Sequence, residues 1–121
     1  MNNMVLFEIG AALAEALAIG TQSGIAPGVL LEALSRGSAD SFALRNHGRM
    51  AMLPGAYPER AFSTRYAQKD LDYALGLAAQ AGIAAPGARL VRARFARAIA
   101  AGDGERYWPV IAEHIAEEPP G

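Results

Sequence analysis

Apolar residues recur every three or four positions along most of the chain, and no stretch alternates apolar and polar long enough to read as a strand. The first such run spans about Asn3 to Ser23, where Leu6, Ile9, Leu13 and Leu17 fall at helical spacing. Gly10 and Ala14 add a stripe of small side chains along which a neighbouring element can approach closely. Pro27, at a first helical position, predicts a second helix ending near Arg36 and Gly37. Gly37–Asp40 reads as a turn, and Ser41 is placed to cap a third helix through about Met50. Two prolines and a glycine make Leu53–Arg60 a loop.

Ser63 or Thr64 can cap a fourth helix that ends near Ala81, with Leu71, Ala74, Leu75 and Ala78 as its buried stripe. Gly82 stops it. Pro86 opens a fifth helix through about Ala101, Gly102–Gly104 turns the chain, and a sixth helix covers about Arg106 to Ala116. Two junctions share one grammar, Gly24-Ile25-Ala26-Pro27 and Gly82-Ile83-Ala84-Ala85-Pro86: a stop, one apolar anchor, and a proline start. That is the pattern of helical hairpins. The prediction is an all-α fold of about six helices in one compact domain, 1–121, with no internal boundary.

A chain of 121 residues can bury about two-thirds of its unfolded surface, and 52% apolar residues fit a globular fold. A net charge of −1 supplies no field to draw nucleic acid or an anionic membrane, so neither is expected as a partner. The absence of cysteine excludes disulfides, thiolate metal sites and a thiol nucleophile. Met1–Gly20 is apolar, but it has no basic start and is interrupted by Glu8 and Glu15, so it does not read as a signal or membrane segment. The cytoplasm is the expected compartment. Ten arginines stand against one lysine, Lys69. Under a coding bias toward arginine, a lone lysine is either chance or a position that needs an ammonium group.

No glycine-rich phosphate loop follows a strand, so the chain holds no dinucleotide fingerprint of its own. His47 and His114 are too isolated to suggest a metal site, and no metal is expected. Glu8 and Glu15 are either a pair of acids or a stripe that meets an arginine. Arg89, Arg92, Arg94 and Arg97 make the fifth helix basic, as a solvated face or as a patch that faces phosphate. Asn3 opens the first helix and shares a face with Phe7 and Gly10. Lys69 and Asp70 sit in mid-helix between Tyr66 and Tyr73, and Phe62, seven residues before Lys69, falls near the same face if the helix reaches that far. Pattern alone leaves Lys69 and Asp70 as either a surface pair or part of a site.

These segments, taken in order, resemble a known family. Asn2-Asn3-Met4 followed by Ala14-Glu15-Ala16-Leu17 resembles the long interdomain helix of the 3-hydroxyisobutyrate dehydrogenase (β-hydroxyacid dehydrogenase) family. Gly37-Ser38-Ala39-Asp40-Ser41 resembles its Gly-Ser-x-x-Ser turn. Phe62 with Lys69-Asp70-Leu71 resembles its Phe…Lys-Asp-Leu helix, and Ala81-Gly82-Ile83 before Pro86 resembles the next junction. The resemblance implies a helical C-terminal domain of the 6-phosphogluconate dehydrogenase C-terminal-like kind, packed in the family against a Rossmann domain that holds NAD or NADP. It implies Asn3 as the asparagine that hydrogen-bonds substrate. The catalytic lysine four residues earlier on that helix would fall just before Met1. It implies Lys69, Asp70 and Phe62 on the cofactor side of the cleft. Tyr107-Trp108-Pro109 departs from the family's acid, aromatic and serine: the aromatic fits, the other two do not.

Two readings follow. In one, the chain is the helical half of an NAD(P)-dependent oxidoreductase for a small β-hydroxyacid, inactive and cofactor-free without a Rossmann domain. In the other, it is an oligomerisation or interaction module that kept the fold and lost the chemistry. Both predict association, as a homodimer or with a separate Rossmann chain, because the first helix is expected to leave Met4 and Phe7 uncovered.

Overall fold

The computed structural model describes all 121 residues as helices and connecting turns. The elements are α1 (Asn2–Gln22), α2 (Pro27–Ser35), α3 (Leu44–Met52), α4 (Thr64–Ala81), α5 (Pro86–Ala98, running on as a wider turn over Ile99–Asp103) and α6 (Trp108–Glu117). The only strand-like contact is a single antiparallel bridge between Ser63 and Tyr107.

The predicted stops and starts form as expected. Gly24 and Gly82 take positive φ of 84° and 72°. Beyond them, the Ile25 and Ile83 amides reach back to the Gly20 and Ala78 carbonyls at 2.8 and 2.9 Å. That closure satisfies carbonyls the helix leaves open, and it favours glycine at the left-handed residue. The two isoleucines are not core anchors, however: they are 43% and 61% exposed. Ser63 caps α4, its Oγ accepting from the Tyr66 amide at 3.1 Å, and Ser41 Oγ accepts from the Leu44 amide at 3.0 Å.

The third and sixth helices differ from expectation in kind. Over Leu44–Met52 the chain winds as a π-helix, wider than an α-helix by one residue per hydrogen-bonded turn. Leu44, His47, Gly48, Ala51 and Met52 face the inside, at the spacing an ordinary helix would also bury. Over Trp108–Glu117 the chain tightens to a 3₁₀ helix, with Pro109 among its first residues. The fifth helix loosens past Ala98 and ends at Gly102, at φ 97°.

α1 is long and apolar enough to span a bilayer by length and composition alone. Here that apolar length serves two cores. The larger joins Phe7 and Ala11 to Leu71, Val91, Phe95, Trp108 and Ile111. The smaller joins Leu13, Ala14 and Leu17 to Leu31, Leu44 and Met52. The expectation that Phe7 lies uncovered is therefore wrong. It is 1% exposed, with the rings of Phe62, Phe95 and Trp108 edge-on at 5.9, 5.2 and 5.0 Å. Gly10 explains the close fit: a Cβ there would stand 2.6 Å from the Trp108 indole.

Candidate functional site

The start of α1 and the middle of α4 meet at one corner. Asn3 Nδ2 donates to Asp70 Oδ2 at 2.7 Å, a partly buried bond between residues 67 apart in sequence. Successive helical residues point about 100° apart, so with Asp70 turned to α1, Lys69 turns to solvent. Lys69 is exposed and has no carboxylate partner. Tyr66, Lys69, Asp70 and Tyr73 line a shallow pocket of about 100 Å³. The two tyrosines are 61% and 65% exposed. One turn further along α4, Ala74, Leu77, Ala78, Ala81 and Ile83 join Met1, Met4 and Ala85 in a wholly apolar groove of about 320 Å³.

Phe62 is outside the helix, because Ser63 is the cap and α4 begins at Thr64. It does not share the Lys69 face as a helical residue. It reaches the corner through Tyr66, whose ring stands edge-on to it at 5.1 Å. Backbone bonds hold it there: the Trp108 amide donates to the Phe62 carbonyl at 2.9 Å, and the Thr64 amide to Arg106 at 2.8 Å. Asn3 and Asp70 thus meet directly, Lys69 stands beside Asp70 on the solvent side, and Phe62 is one ring away through Tyr66. Lys69 and Asp70 do not form a surface ion pair, because the Asp70 carboxylate bonds Asn3.

Other polar candidates are occupied. The basic face of α5 is not a free phosphate patch. Arg92 pairs with Asp72, Arg97 with Glu117, and Arg89 Nε donates to the Ala84 carbonyl. Arg94 is buried and pairs with both Glu15 and Glu118, so Glu15 is an arginine partner. Burial alone would lower the Arg94 pKa, yet the hydrogen bonds it donates to Glu118 and Glu15 carry it above its ordinary value. His114 has a carboxylate on each ring nitrogen, Asp103 at 2.7 Å and Glu117 at 3.2 Å. Burial opposes its charged form, but those two bonds outweigh it and raise its pKa.

Three features escaped the sequence reading. His47 is 6% exposed inside the π-helix, its ring 4.8 Å from the Trp108 ring, and burial pushes its pKa down. Its Nδ1 is buried with no hydrogen-bond partner. A second pocket, of about 390 Å³, lies between the C-terminal half of α1, the 53–57 loop and α6. Tyr57 lines it, and burial, then the charge of Glu113, push its pKa up to about 12. None of these carries a local signature, because loop and helix residues far apart in sequence build each.

The comparisons with known proteins point the same way. No curated protein matches the chain. The chain superposes on a 3-hydroxyisobutyrate dehydrogenase from Salmonella typhimurium with a TM-score of 0.85 at 22% identity, over 93% of this chain and 39% of that one. It superposes on the Mycobacterium tuberculosis 3-hydroxyisobutyrate dehydrogenase, solved with L-serine, with a TM-score of 0.82 at 21% identity, over 94% and 40%. These likenesses establish the all-α fold. The chain spans about two fifths of the length of either structure. A family described as "NAD-binding of NADP-dependent 3-hydroxyisobutyrate dehydrogenase" matches residues 1–108, most of the chain. The chain belongs to this 3-hydroxyisobutyrate dehydrogenase family, as its all-helical domain.

Proposed function

We propose that the chain forms one wall of the active-site cleft of an NAD(P)-dependent oxidoreductase acting on a small β-hydroxyacid or its aldehyde or keto form. The observation that supports this most is the corner where Asn3 of α1 bonds Asp70 of α4 beside the unpaired Lys69. The cofactor, held by a Rossmann domain, supplies the hydride. The residues present suit its nicotinamide end: an unpaired ammonium between two exposed aromatic rings. Lys69 places positive charge where a carbonyl oxygen gains negative charge during reduction. Asn3 hydrogen-bonds the substrate and fixes its position. Phe62 backs the pocket through Tyr66.

The 121 residues by themselves are expected to turn over no hydroxyacid and to hold no dinucleotide. The test is to join the Rossmann domain of a solved relative to Met1, carrying its helix lysine four residues before Asn3. Turnover of 3-hydroxyisobutyrate with NAD or NADP is expected from the joined protein and not from the 121 residues alone. A folded joined protein without turnover would sink this reading.

A second reading, a non-catalytic interaction module, is favoured by the apolar groove lined by Met1, Met4, Leu77 and Ile83. Covering it would join the chain to a second copy or to a separate Rossmann chain. A homodimer in the cytoplasm is the assembly we favour. Light scattering at micromolar concentrations tests it, and a strictly monomeric chain would count against it.

A further inference from the structure

The Asn3 carboxamide could sit in its place in either of two orientations, half a turn apart. In the orientation seen, Nδ2 donates to Asp70 Oδ2 at 2.7 Å, and Oδ1 accepts from the exposed Asn2 Nδ2 at 3.2 Å. An amide has two N–H donors and one oxygen acceptor, while an ionised carboxylate only accepts. Half a turn about χ2 would set Asn3 Oδ1 against Asp70 Oδ2 at the same short distance, oxygen against charged oxygen. The carboxylate therefore excludes that orientation. The second Nδ2 hydrogen stays without a partner in the chain.

Asp70 is itself held for this task. It is half-buried on α4, a turn above the fully buried Ala67 and next to Leu71, so its backbone is fixed by the larger core. Its bond to Asn3 is the only side-chain hydrogen bond that links the first turn of α1 to α4. Its neighbour Lys69 points away from it. The two residues of the Lys-Asp pair thus have different targets.

Resting on the reading of this corner as a ligand wall, we propose that Asp70 is a positioning residue that locks the Asn3 side chain as an N–H donor toward the ligand. Asn3 then offers its second N–H to a hydroxyl or carbonyl oxygen of the ligand.

The test uses the 121-residue chain, ¹⁵N-labelled, and reads water exchange at the side-chain amides. Asn2, exposed and adjacent, is the internal reference. The Asn3 Nδ2 proton bonded to Asp70 should exchange about tenfold more slowly than those of Asn2, the factor a charge-assisted hydrogen bond supplies. Asp70→Asn, whose amide can bond Asn3 in either orientation, should remove the difference. Asp70→Glu should restore part of it. Melting temperature is followed in parallel, so that a merely structural role is seen as a change in stability with the Asn3 signal unmoved. That outcome, or equal exchange at Asn2 and Asn3 in the unmodified chain, overturns the proposal. No ligand enters the measurement, so it stands or falls separately from the turnover test above.

Discussion

Gly10→Ala is the sharpest perturbation of the packing on which the corner rests. A Cβ at this position would lie 2.6 Å from both Cη2 and Cζ3 of Trp108. Ordinary carbon contacts lie at about 3.5–4.0 Å, so something must move by roughly 1 Å. The indole has little room. It is 1% exposed, with Phe7 at 5.0 Å, His47 at 4.8 Å and Phe95 at 6.3 Å between ring centroids. Overpacking of this kind costs about 1–3 kcal/mol, and a boxed aromatic wall puts it at the upper end. Replacing a mid-helix glycine by alanine returns about 0.5–1 kcal/mol. The net expected loss is about 2 kcal/mol, or roughly 6–10 °C in Tm for a chain of this size. Urea unfolding followed by the single tryptophan, Trp108, measures it directly. Gly76→Ala is the control: Gly76 is also mid-helix, is exposed, and has nothing within 4 Å of a built Cβ. It should gain about 0.5–1 kcal/mol. In a Trp108→Phe background, where the shorter ring vacates the contact, Gly10→Ala should cost nothing, read there by far-ultraviolet circular dichroism because the tryptophan is gone. Equal stability of Gly10→Ala and Gly76→Ala would refute the reasoning.

The two histidines should tilt stability in opposite directions with pH. The folded pKa of His114 is raised, so the native state holds the extra proton and its contribution is complete below about 6.5, then lost as pH rises through the folded value. The folded pKa of His47 is lowered by burial, so its neutral form stabilises above about 6.5, and that contribution is lost as pH falls toward the folded value. Urea midpoints from pH 5 to 8 should fall less with rising pH in His114→Gln and less with falling pH in His47→Phe; a His114→Gln profile parallel to the unmodified chain would refute the first. Removing Glu15 or Glu118 alone should cost under about 1 kcal/mol, because the other still pairs with Arg94, while removing both strands a buried guanidinium and should cost about 3 kcal/mol. Additive costs in that double-mutant cycle would show that the two carboxylates act independently. Ser63→Ala should cost about 1 kcal/mol through loss of the α4 cap, read in the same unfolding assay.

The sequence announced the helix ends better than the helix interiors. Pro27, Pro86, Gly24, Gly82 and Ser63 act within a few residues of themselves, so each could be read locally. The π winding of Leu44–Met52 and the 3₁₀ winding of Trp108–Glu117 could not. Apolar spacing over nine or ten residues does not separate hydrogen-bond steps of three, four and five. The burial of Phe7 was misjudged because its cover comes from Phe62, Phe95 and Trp108, all distant in sequence. Asn3, Lys69 and Asp70 stood out as polar positions on apolar helices, but only the order of several short motifs suggested roles for them. Their meeting, and the commitment of Asp70 to Asn3, depend on how α1 and α4 pack, and nothing local encodes that.

Lys69 bears the central claim. It is exposed and forms no ion pair, so Lys69→Ala should leave the unfolding midpoint within about 0.5 kcal/mol of the unmodified chain. The decisive measurement is kcat/KM for 3-hydroxyisobutyrate in the protein joined to a Rossmann domain, with and without Lys69→Ala. A loss of about 100-fold or more at unchanged stability is expected if the ammonium stabilises developing charge at the reacting oxygen. Unchanged turnover in Lys69→Ala would overturn the assignment of this corner to the active-site cleft.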